Sequence, residues 1–151
     1  MSPYAPPSYK CAPGSAQWAF LRDAIGGVNR SLTPWVVLLT HRPFYGDIVN
    51  ASGPAASVRV AALLREHVEP LFFDAAGALL VDFVAGGHFH EYQRSCASAR
   101  GACVQRSDGG VYRAPRAPVH VLVGAAGASL SCCHNASQPA YAARAEFRCA
   151  H

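Results

Sequence analysis

Two histidines separated by one residue stand in the stretch VAGGHFHEYQR, residues 84–94, and a third histidine follows the apolar run VVLLT. They are His88, His90 and His41. Neutral imidazole is the commonest nitrogen ligand of transition metals in proteins. On an extended segment His88 and His90 face the same way, while Phe89 faces the core. The residue types therefore indicate metal binding, but on spacing alone a pair that only satisfies hydrogen bonds is the commoner explanation.

Two apolar strands must position these histidines. Residues 35–40, WVVLLT, predict a buried central strand, and residues 78–86, ALLVDFVAG, predict a second one. Asp82, inside the second strand, is expected to cap or pair locally. A helix predicted over residues 56–68 separates the strands, which favours parallel strands joined by a crossover. Because ligands gather at the carboxyl ends of parallel strands, the three histidines are expected to meet there.

The rest of the chain predicts fewer elements. Residues 16–30 carry apolar side chains at helical spacing, Ser15 stands in the N-cap position, and a glycine pair is expected to end this helix. Residues 119–123 predict a third strand, whereas residues 96–118 show little periodicity. Helices that alternate with strands indicate the α/β fold class.

Composition excludes two classes of function. The net charge of +4 is spread over single arginines instead of a basic face, so nucleic acid is a poor first hypothesis. No run of eighteen apolar residues occurs, so no membrane span is predicted. The remaining histidines, His67, His120, His134 and His151, have no partner at ligand spacing and are expected to be structural or exposed.

Six cysteines and three glycosylation sequons indicate an oxidising compartment, that is, secretion or vacuolar delivery through the secretory pathway. Cys96 and Cys103, in CASARGAC, are expected to form a disulfide across a hairpin turn. The remaining cysteines are Cys11, Cys132, Cys133 and Cys149, and their connectivity stays open. The predicted glycosylation sites are Asn29, Asn50 and Asn135.

Five segments, in order, resemble the metallophosphoesterases of the purple acid phosphatase type. GHFHEYQR resembles their GHxHxYER signature, with Gln93 in place of the usual Glu, and TPWVVLLTHRPFY resembles their VxxH segment. APGSAQWAFLRDAIGGVNRSLTPW is similar to the helix before that segment, LLVDFVAGGHFH to the VDLVLAGHxH strand, and APVHVLVGAAGASL to the strand and glycine turn that open their C-terminal region. The resemblance runs from Ala12 to Leu130.

The resemblance implies part of a calcineurin-like four-layer α/β/β/α sandwich. Residues 1–95 would be the C-terminal half of the catalytic domain, and residues 96–151 the C-terminal region of the purple acid phosphatase type. It also implies a dinuclear centre of iron with zinc, manganese or a second iron, in which His41 and His88 bind the divalent metal and His90 the ferric ion. Phosphate monoesters are the implied substrates, and such metals clamp the phosphate and activate a bound water.

Four residues near the histidines have predicted roles. Arg42 and Tyr45 follow His41, where they are expected either to hydrogen-bond a phosphate oxygen or, with equal weight, to anchor a turn. Tyr92 and Arg94 are expected to pack behind the site and anchor its loop. Catalytic residues stay unassigned, because no residue is identified for protonating the leaving group.

The motifs that supply the other metal ligands of the family, DxG, GDxxY and GNHE, stand earlier in the chain in that family, and none of them occurs ahead of His41 in this sequence. Three imidazoles without a bridging carboxylate should hold two cations poorly. We therefore expect the C-terminal part of an enzyme, inactive without its N-terminal half, with an exposed apolar flank and with Met1 as an internal or mis-assigned start. Two alternatives stay open: a non-catalytic or gene-model fragment that keeps the fold remnant, or a metallophosphoesterase for phosphodiesters or nucleotides.

Overall fold

The computed structural model describes residues 11–46, 55–124 and 127, which form a five-stranded mixed sheet with two α-helices. The helices are α1, Ala16–Gly26, and α2, Ala55–His67, and a 3-10 helix spans Glu69–Phe72. The strands are β1, Val37–Thr40, β2, Phe83–Gly86, β3, Tyr92–Ala99, β4, Ala102–Gln105, and β5, Val119–Val123. They are arranged in the order β1-β2-β5-β3-β4, which confirms the α/β class.

The two histidine-bearing strands are parallel neighbours, as predicted. β1 pairs with β2, and β2 pairs with β5, in both cases parallel. A tight turn cannot join parallel strands, so the chain returns through α2. Thr40 pairs with Gly86, and Gly86 pairs with Leu122, so the three strands end within one residue of each other. These strand ends form the carboxyl edge of the sheet.

Helix α1 begins and ends where its capping residues predict. The Ser15 hydroxyl accepts a hydrogen bond from the Trp18 N–H at 3.2 Å, the usual N-cap arrangement. The Gly27 N–H closes the other end of α1 by donating to the Asp23 carbonyl at 2.9 Å. Pro70 follows α2 and stands at the start of the 3-10 helix. Neither α-helix of the described part is long and apolar enough to cross a membrane.

Two apolar clusters form the core. The first lies between the helices and the sheet, and its buried members are Ile25, Phe44, Tyr45, Leu64, Val68, Phe72, Val81 and Val84. The second joins β3 and β5 through Ala97, Ala99, Ala117, Val119 and Val121. The small residues of the second cluster let these two strands pack closely with their neighbours.

The prediction that β1 is a buried central strand is wrong for the described residues, because β1 ends the sheet order. Leu38 packs against the first cluster, whereas Val37 and Leu39 on the opposite face are 53% and 76% exposed. Trp35 extends this apolar surface and is 71% exposed. A continuous apolar run suits a strand covered on both faces, but the described residues cover only one face of β1. The exposed apolar flank expected from the sequence is therefore present.

The hairpin turn expected between Cys96 and Cys103 belongs to the β3–β4 hairpin, whose strands were not predicted. Its inner positions are small residues, and the pairing of β3 with β5 shifts register between Arg94 and Ala97, so the alternation that identifies a strand is interrupted. The disulfide between Cys96 and Cys103 joins β3 to β4, which confirms the predicted pair. Cys11 packs beside the first cluster. Cys132, Cys133 and Cys149 lie outside the described residues.

Asp82 forms a long-range tie, not the local pair expected from the sequence. Its two carboxylate oxygens each accept a hydrogen bond from the Arg30 guanidinium at 2.7 Å, and one also accepts from the Val36 N–H at 2.7 Å. Burial acts to raise the pKa of Asp82, but the hydrogen bonds from Arg30 and Val36 outweigh it and hold the pKa below its ordinary value. The carboxylate thus joins the segment after α1 to the entry of β1 and β2.

His120, on β5, is buried as a neutral ring. Its Nε2 lies 3.3 Å from the Ser98 carbonyl oxygen, and its Nδ1 has no hydrogen-bond partner within the described residues. The ring centroid lies 4.5 Å from that of Tyr45 and 5.8 Å from that of Phe44. Burial, aided by the charge of Arg65 and opposed by the Ser98 carbonyl, lowers the pKa of His120 to about 3.

Mild acid should therefore destabilise the fold through His120. Its pKa is about 3 when folded against an ordinary value of 6.5, so between these pH values the unfolded chain binds the extra proton. The stabilisation is complete above pH 6.5 and falls by about 2 kcal/mol by pH 5. We expect His120→Gln to lose less stability between pH 7 and pH 5 in urea unfolding.

The nearby Glu69 acts in the opposite direction, because its pKa is raised, chiefly by burial, and its contribution to stability falls as pH rises above its ordinary value. Comparing the original protein with His120→Gln cancels the contribution of Glu69, since both proteins keep that residue. Equal losses of unfolding free energy in the two proteins would contradict the assignment to His120.

Gly124 should not tolerate a side chain. It follows β5, its N–H donates to the Glu91 carbonyl at 3.2 Å, and a Cβ atom there would overlap the backbone carbonyl of Phe89. We expect Gly124→Ala to cost about 2 kcal/mol or more of unfolding free energy, because the backbone must move. Gly26→Ala is the control, since a Cβ at Gly26 meets nothing within 4 Å. Equal unfolding free energies for both variants would contradict the prediction.

Candidate functional site

The carboxyl edge of the sheet brings His41 and His88 together. The Gly87 N–H donates to the His41 carbonyl at 3.1 Å and so extends the pairing of β1 and β2 by one step. The next residue, His88, places its Nδ1 3.2 Å from Nε2 of His41, and the two ring centroids are 5.1 Å apart. The geometry therefore agrees with the expectation that these two histidines meet.

Arg42 fixes the proton positions in this pair. Its Nη1 lies 2.7 Å from Nε2 of His88. A guanidinium only donates, so Nε2 of His88 must accept, and the proton of the neutral ring is then on Nδ1. Nδ1–H of His88 in turn donates to Nε2 of His41. In this arrangement neither nitrogen of His88 offers a lone pair to another ligand.

The electrostatics of the site favour a neutral His88 ring. Burial lowers the pKa of His88 first, and the positive charges of Arg42, His41 and His90 lower it further. His90 thus lies near enough to act on His88 electrostatically. A neutral imidazole is the form that binds metals, so the residue types retain this capacity.

The loop that carries His88 is compact, and the extended segment predicted for the HxH pair is wrong. His88 has φ 72°, a left-handed conformation that is uncommon outside glycine. The Phe89 N–H donates to the Gly87 carbonyl at 3.0 Å, which tightens the turn. Phe89 packs against the His88 ring with centroids 4.7 Å apart. Such backbone outliers are held by their surroundings and are frequent at functional sites.

Glycine at position 86 allows the two histidine loops to approach each other. A Cβ there would lie 3.0 Å from the Cα of Pro43, in the loop after His41. A side chain at this position would push the loops apart. Gly86 is thus the residue of β2 that permits the short distance between His41 and His88.

Tyr45 lies in the interior, where its hydroxyl connects two other segments of the chain. It is 3% exposed, and its hydroxyl donates to Oε1 of Glu69 at 2.6 Å. The Gly101 N–H donates back to the same hydroxyl at 3.1 Å. Burial, followed by the charge of Glu69, raises the pKa of Tyr45, so the phenol stays protonated. The substrate contact predicted for Tyr45 stays a prediction.

Two residues that the sequence reasoning missed hold the His41 loop. Glu69 is 2% exposed and accepts from Tyr45, while Arg65 donates through Nη1 to the Phe44 carbonyl at 2.5 Å. A single carboxylate inside the apolar run VEPLFF was the available signal for Glu69, because buried carboxylates are rare unless paired. No local pattern identifies Arg65, since its partner lies in another segment.

The residues after His90 lead into β3 and contact other parts of the chain. Tyr92 lies against the second apolar cluster, and the Arg94 guanidinium lies alongside Gly110. The Gln93 side-chain amide donates to Oε1 of the buried Glu91 at 3.0 Å. A glutamate at position 93 would instead bring a second carboxylate to Glu91, so the amide suits this environment. The anchoring roles of Tyr92 and Arg94 stay predictions.

Of the predicted glycosylation sites, Asn29 is described and exposed. Its side-chain oxygen accepts from the Ser31 N–H at 3.0 Å and from the Ser31 hydroxyl at 2.6 Å. Asn50 and Asn135 lie outside the described residues.

A metal fits this donor set only in part. Two nitrogens that bind one tetrahedral zinc at about 2.0–2.1 Å lie roughly 3.3 Å apart, close to the 3.2 Å between His41 and His88. The proton on Nδ1 of His88 and the Arg42 donor oppose such binding, however. Residues 11–46, 55–124 and 127 contain no group of three or more histidine, cysteine, aspartate or glutamate side chains suited to a metal ion. They do not by themselves fit a two-metal centre.

The comparisons with known proteins agree on one family. "Probable inactive purple acid phosphatase 9" of Arabidopsis thaliana is 34% identical over 114 residues, covering 76% of this chain and 15% of that protein. "Fe(3+)-Zn(2+) purple acid phosphatase 12" of the same plant is 30% identical over 130 residues, covering 82% of this chain and 24% of that protein. No protein-family model matches the chain.

A solved structure supports the fold. The structure of a purple acid phosphatase from seeds of yellow lupin (Lupinus luteus) matches with a TM-score of 0.60 and 23% identity, covering 86% of this chain and 22% of the lupin chain. The chain thus spans about a quarter or less of the proteins it matches. The mixed sheet matches the calcineurin-like fold of these phosphatases. Together, the sequence relatives and the shared fold identify the chain as a member of the purple acid phosphatase-like metallophosphoesterases.

Proposed function

We propose that this chain forms part of a longer acid phosphatase that hydrolyses phosphate monoesters at a dinuclear centre of iron with zinc, manganese or a second iron. In this proposal His41 and His88 bind the divalent metal, His90 binds the ferric ion, and the missing N-terminal half supplies the carboxylates. The observation that carries it is the 3.2 Å approach of His41 and His88 at the ends of adjacent parallel strands. Family membership makes phosphate esters the expected substrate class.

The conformation of Arg42 determines whether His88 can bind a metal in this chain. Its guanidinium donates to Nε2 of His88, and the resulting proton on Nδ1 points at His41. Both nitrogens of His88 are therefore satisfied without any ligand. Metal binding through His88 requires Arg42 to withdraw, after which its guanidinium is free to donate to a phosphate oxygen. We infer that the chain alone has negligible phosphatase activity and retains metals weakly.

A second candidate function is a non-catalytic fold remnant. It is supported by the same hydrogen bond between Arg42 and His88, and by the relative whose name contains "inactive". The two candidates differ in what an upstream segment would add. Only the enzyme requires carboxylate-bearing motifs before Met1.

The first test extends the chain upstream. A polypeptide whose added segment contains GDxxY and GNHE in frame should hydrolyse p-nitrophenyl phosphate, whereas the 151-residue chain should not. In the extended protein, His88→Ala should lower kcat/KM at least about a hundredfold. Loss of a metal ligand should reduce activity at least as much as loss of a residue that only hydrogen-bonds a ligand. His67→Gln, on α2, is the matched control and should keep activity.

Turnover and two bound metals in the 151-residue chain would contradict the proposed division of the site. An extended protein that carries both motifs but remains inactive would favour the non-catalytic candidate.

The second test removes the Arg42 contact. We expect Arg42→Ala to raise the Zn²⁺ affinity of the 151-residue chain about tenfold, because His88 loses a competing donor and a nearby positive charge. Arg42→Lys keeps the charge and should change the affinity less. Competition with a chromogenic zinc chelator measures both variants. An affinity that is unchanged in Arg42→Ala would show that Arg42 does not compete with the metal.

A further inference from the structure

The loop between β1 and α2 carries His41 and Arg42, and its described part, residues 41–46, is held from three sides. The Gly87 N–H binds the His41 carbonyl at 3.1 Å, and Arg65 binds the Phe44 carbonyl. The third contact is the hydrogen bond from the Tyr45 hydroxyl to Glu69, and both of these residues are buried. The loop thus depends on groups from β2, α2 and the 3-10 helix.

Glu69 joins this loop to the β3–β4 hairpin. Its Oε1 accepts from the Tyr45 hydroxyl at 2.6 Å, and its Oε2 accepts from the Arg100 N–H at 2.8 Å. The Gly101 N–H completes the network on the Tyr45 hydroxyl at 3.1 Å. A carboxylate has two acceptor oxygens, and here each receives a donor from a different segment. A neutral apolar side chain could satisfy neither donor.

The hairpin turn is shaped to present these donors. Ala99 pairs with Ala102, so Arg100 and Gly101 form a two-residue turn, and their φ values are 54° and 76°. Positive φ at both positions is the pattern of tight hairpin turns, but it is uncommon for an arginine. The turn therefore directs two adjacent N–H groups to Glu69 and Tyr45.

We infer that Glu69 is a positioning residue for the histidine site. Acting through Tyr45, it fixes the loop that sets the distance from His41 to His88, although it contacts neither ring. Arg65 supports the same geometry, since its guanidinium lies 5.4 Å from the centroid of the Tyr45 ring and binds the adjacent Phe44 carbonyl. The consequence for catalysis rests on the proposed function, whereas the consequence for loop geometry does not.

Burial gives the network its strength. A buried donor or acceptor that loses its partner retains the full cost of its desolvation. Removing the Tyr45 hydroxyl takes one donor from Glu69, and removing the carboxylate takes the acceptor from the Tyr45 O–H and from the Arg100 N–H. Because Tyr45 and Glu69 act through one hydrogen bond, their substitutions should not be additive.

The test compares four variants of the 151-residue chain by NMR: Tyr45→Phe, Glu69→Leu, the double variant, and Val119→Ala as a core control from the second cluster. Exchange of the Gly87 amide reports whether the His41 loop is docked, because this N–H binds the His41 carbonyl. A nuclear Overhauser effect between the ring protons of His41 and His88 reports their distance, at a centroid separation of 5.1 Å.

After correction for differences in global stability, we expect Tyr45→Phe and Glu69→Leu to speed exchange of the Gly87 amide about tenfold more than Val119→Ala does. Both variants should also weaken the Overhauser effect between the rings of His41 and His88. The double variant should resemble Glu69→Leu alone. If Glu69→Leu does not fold, Tyr45→Phe decides, since it removes one oxygen atom. Exchange at Gly87 and a ring contact that match those of the Val119→Ala control would overturn the inference.

The extended protein separates this inference from the proposed function. If it is active, Tyr45→Phe should lower kcat by more than Val119→Ala does. If it is inactive although correctly folded, the proposed function fails, while the exchange rate of Gly87 in the 151-residue chain still decides the role of Glu69.

Discussion

The hydrogen-bonded register between two parallel strands is the constraint on which the site depends. Thr40 lies opposite Gly86, and the bond from the Gly87 N–H to the His41 carbonyl adds one more step in the same direction. A slip of one residue would turn every side chain of β1 to the other face and would separate His41 from His88. The hydrogen bonds between Arg30 and Asp82 stabilise this register at the opposite end, where β1 and β2 begin.

The interior beside the site combines acidic and basic groups with opposite responses to pH. His120 stays neutral because protonation would place an unsolvated charge in the core. Burial raises the pKa of Glu69 for the same reason, since it disfavours the charged carboxylate. Tyr45 lies between them, since it contacts the His120 ring and donates to Glu69. The packing of the core and the geometry of the histidine loop therefore both depend on Tyr45 and on the charge states of its two neighbours.

The sequence predicted what depends on local pattern. α2 and β5 follow from periodicity, and the meeting of His41 with His88 follows from strands that end beside them. It did not predict the edge position of β1. An apolar run indicates that a strand is covered, but it does not identify the segment that covers it, which can lie beyond the described residues. It also missed Glu69, whose partners lie 24 and 31 residues away in sequence, a distance at which no periodicity operates.

The disulfide closes Cys96 and Cys103, seven residues apart, into a small covalent ring. Arg100 and Gly101 lie inside this ring, and their N–H groups are the ones that Glu69 and Tyr45 require. The ring persists even when the rest of the chain is unfolded, so the turn can act as a preformed template onto which a carboxylate docks. The disulfide thus limits the conformations open to the turn whose N–H groups bind Glu69 and Tyr45, although neither cysteine belongs to the histidine site.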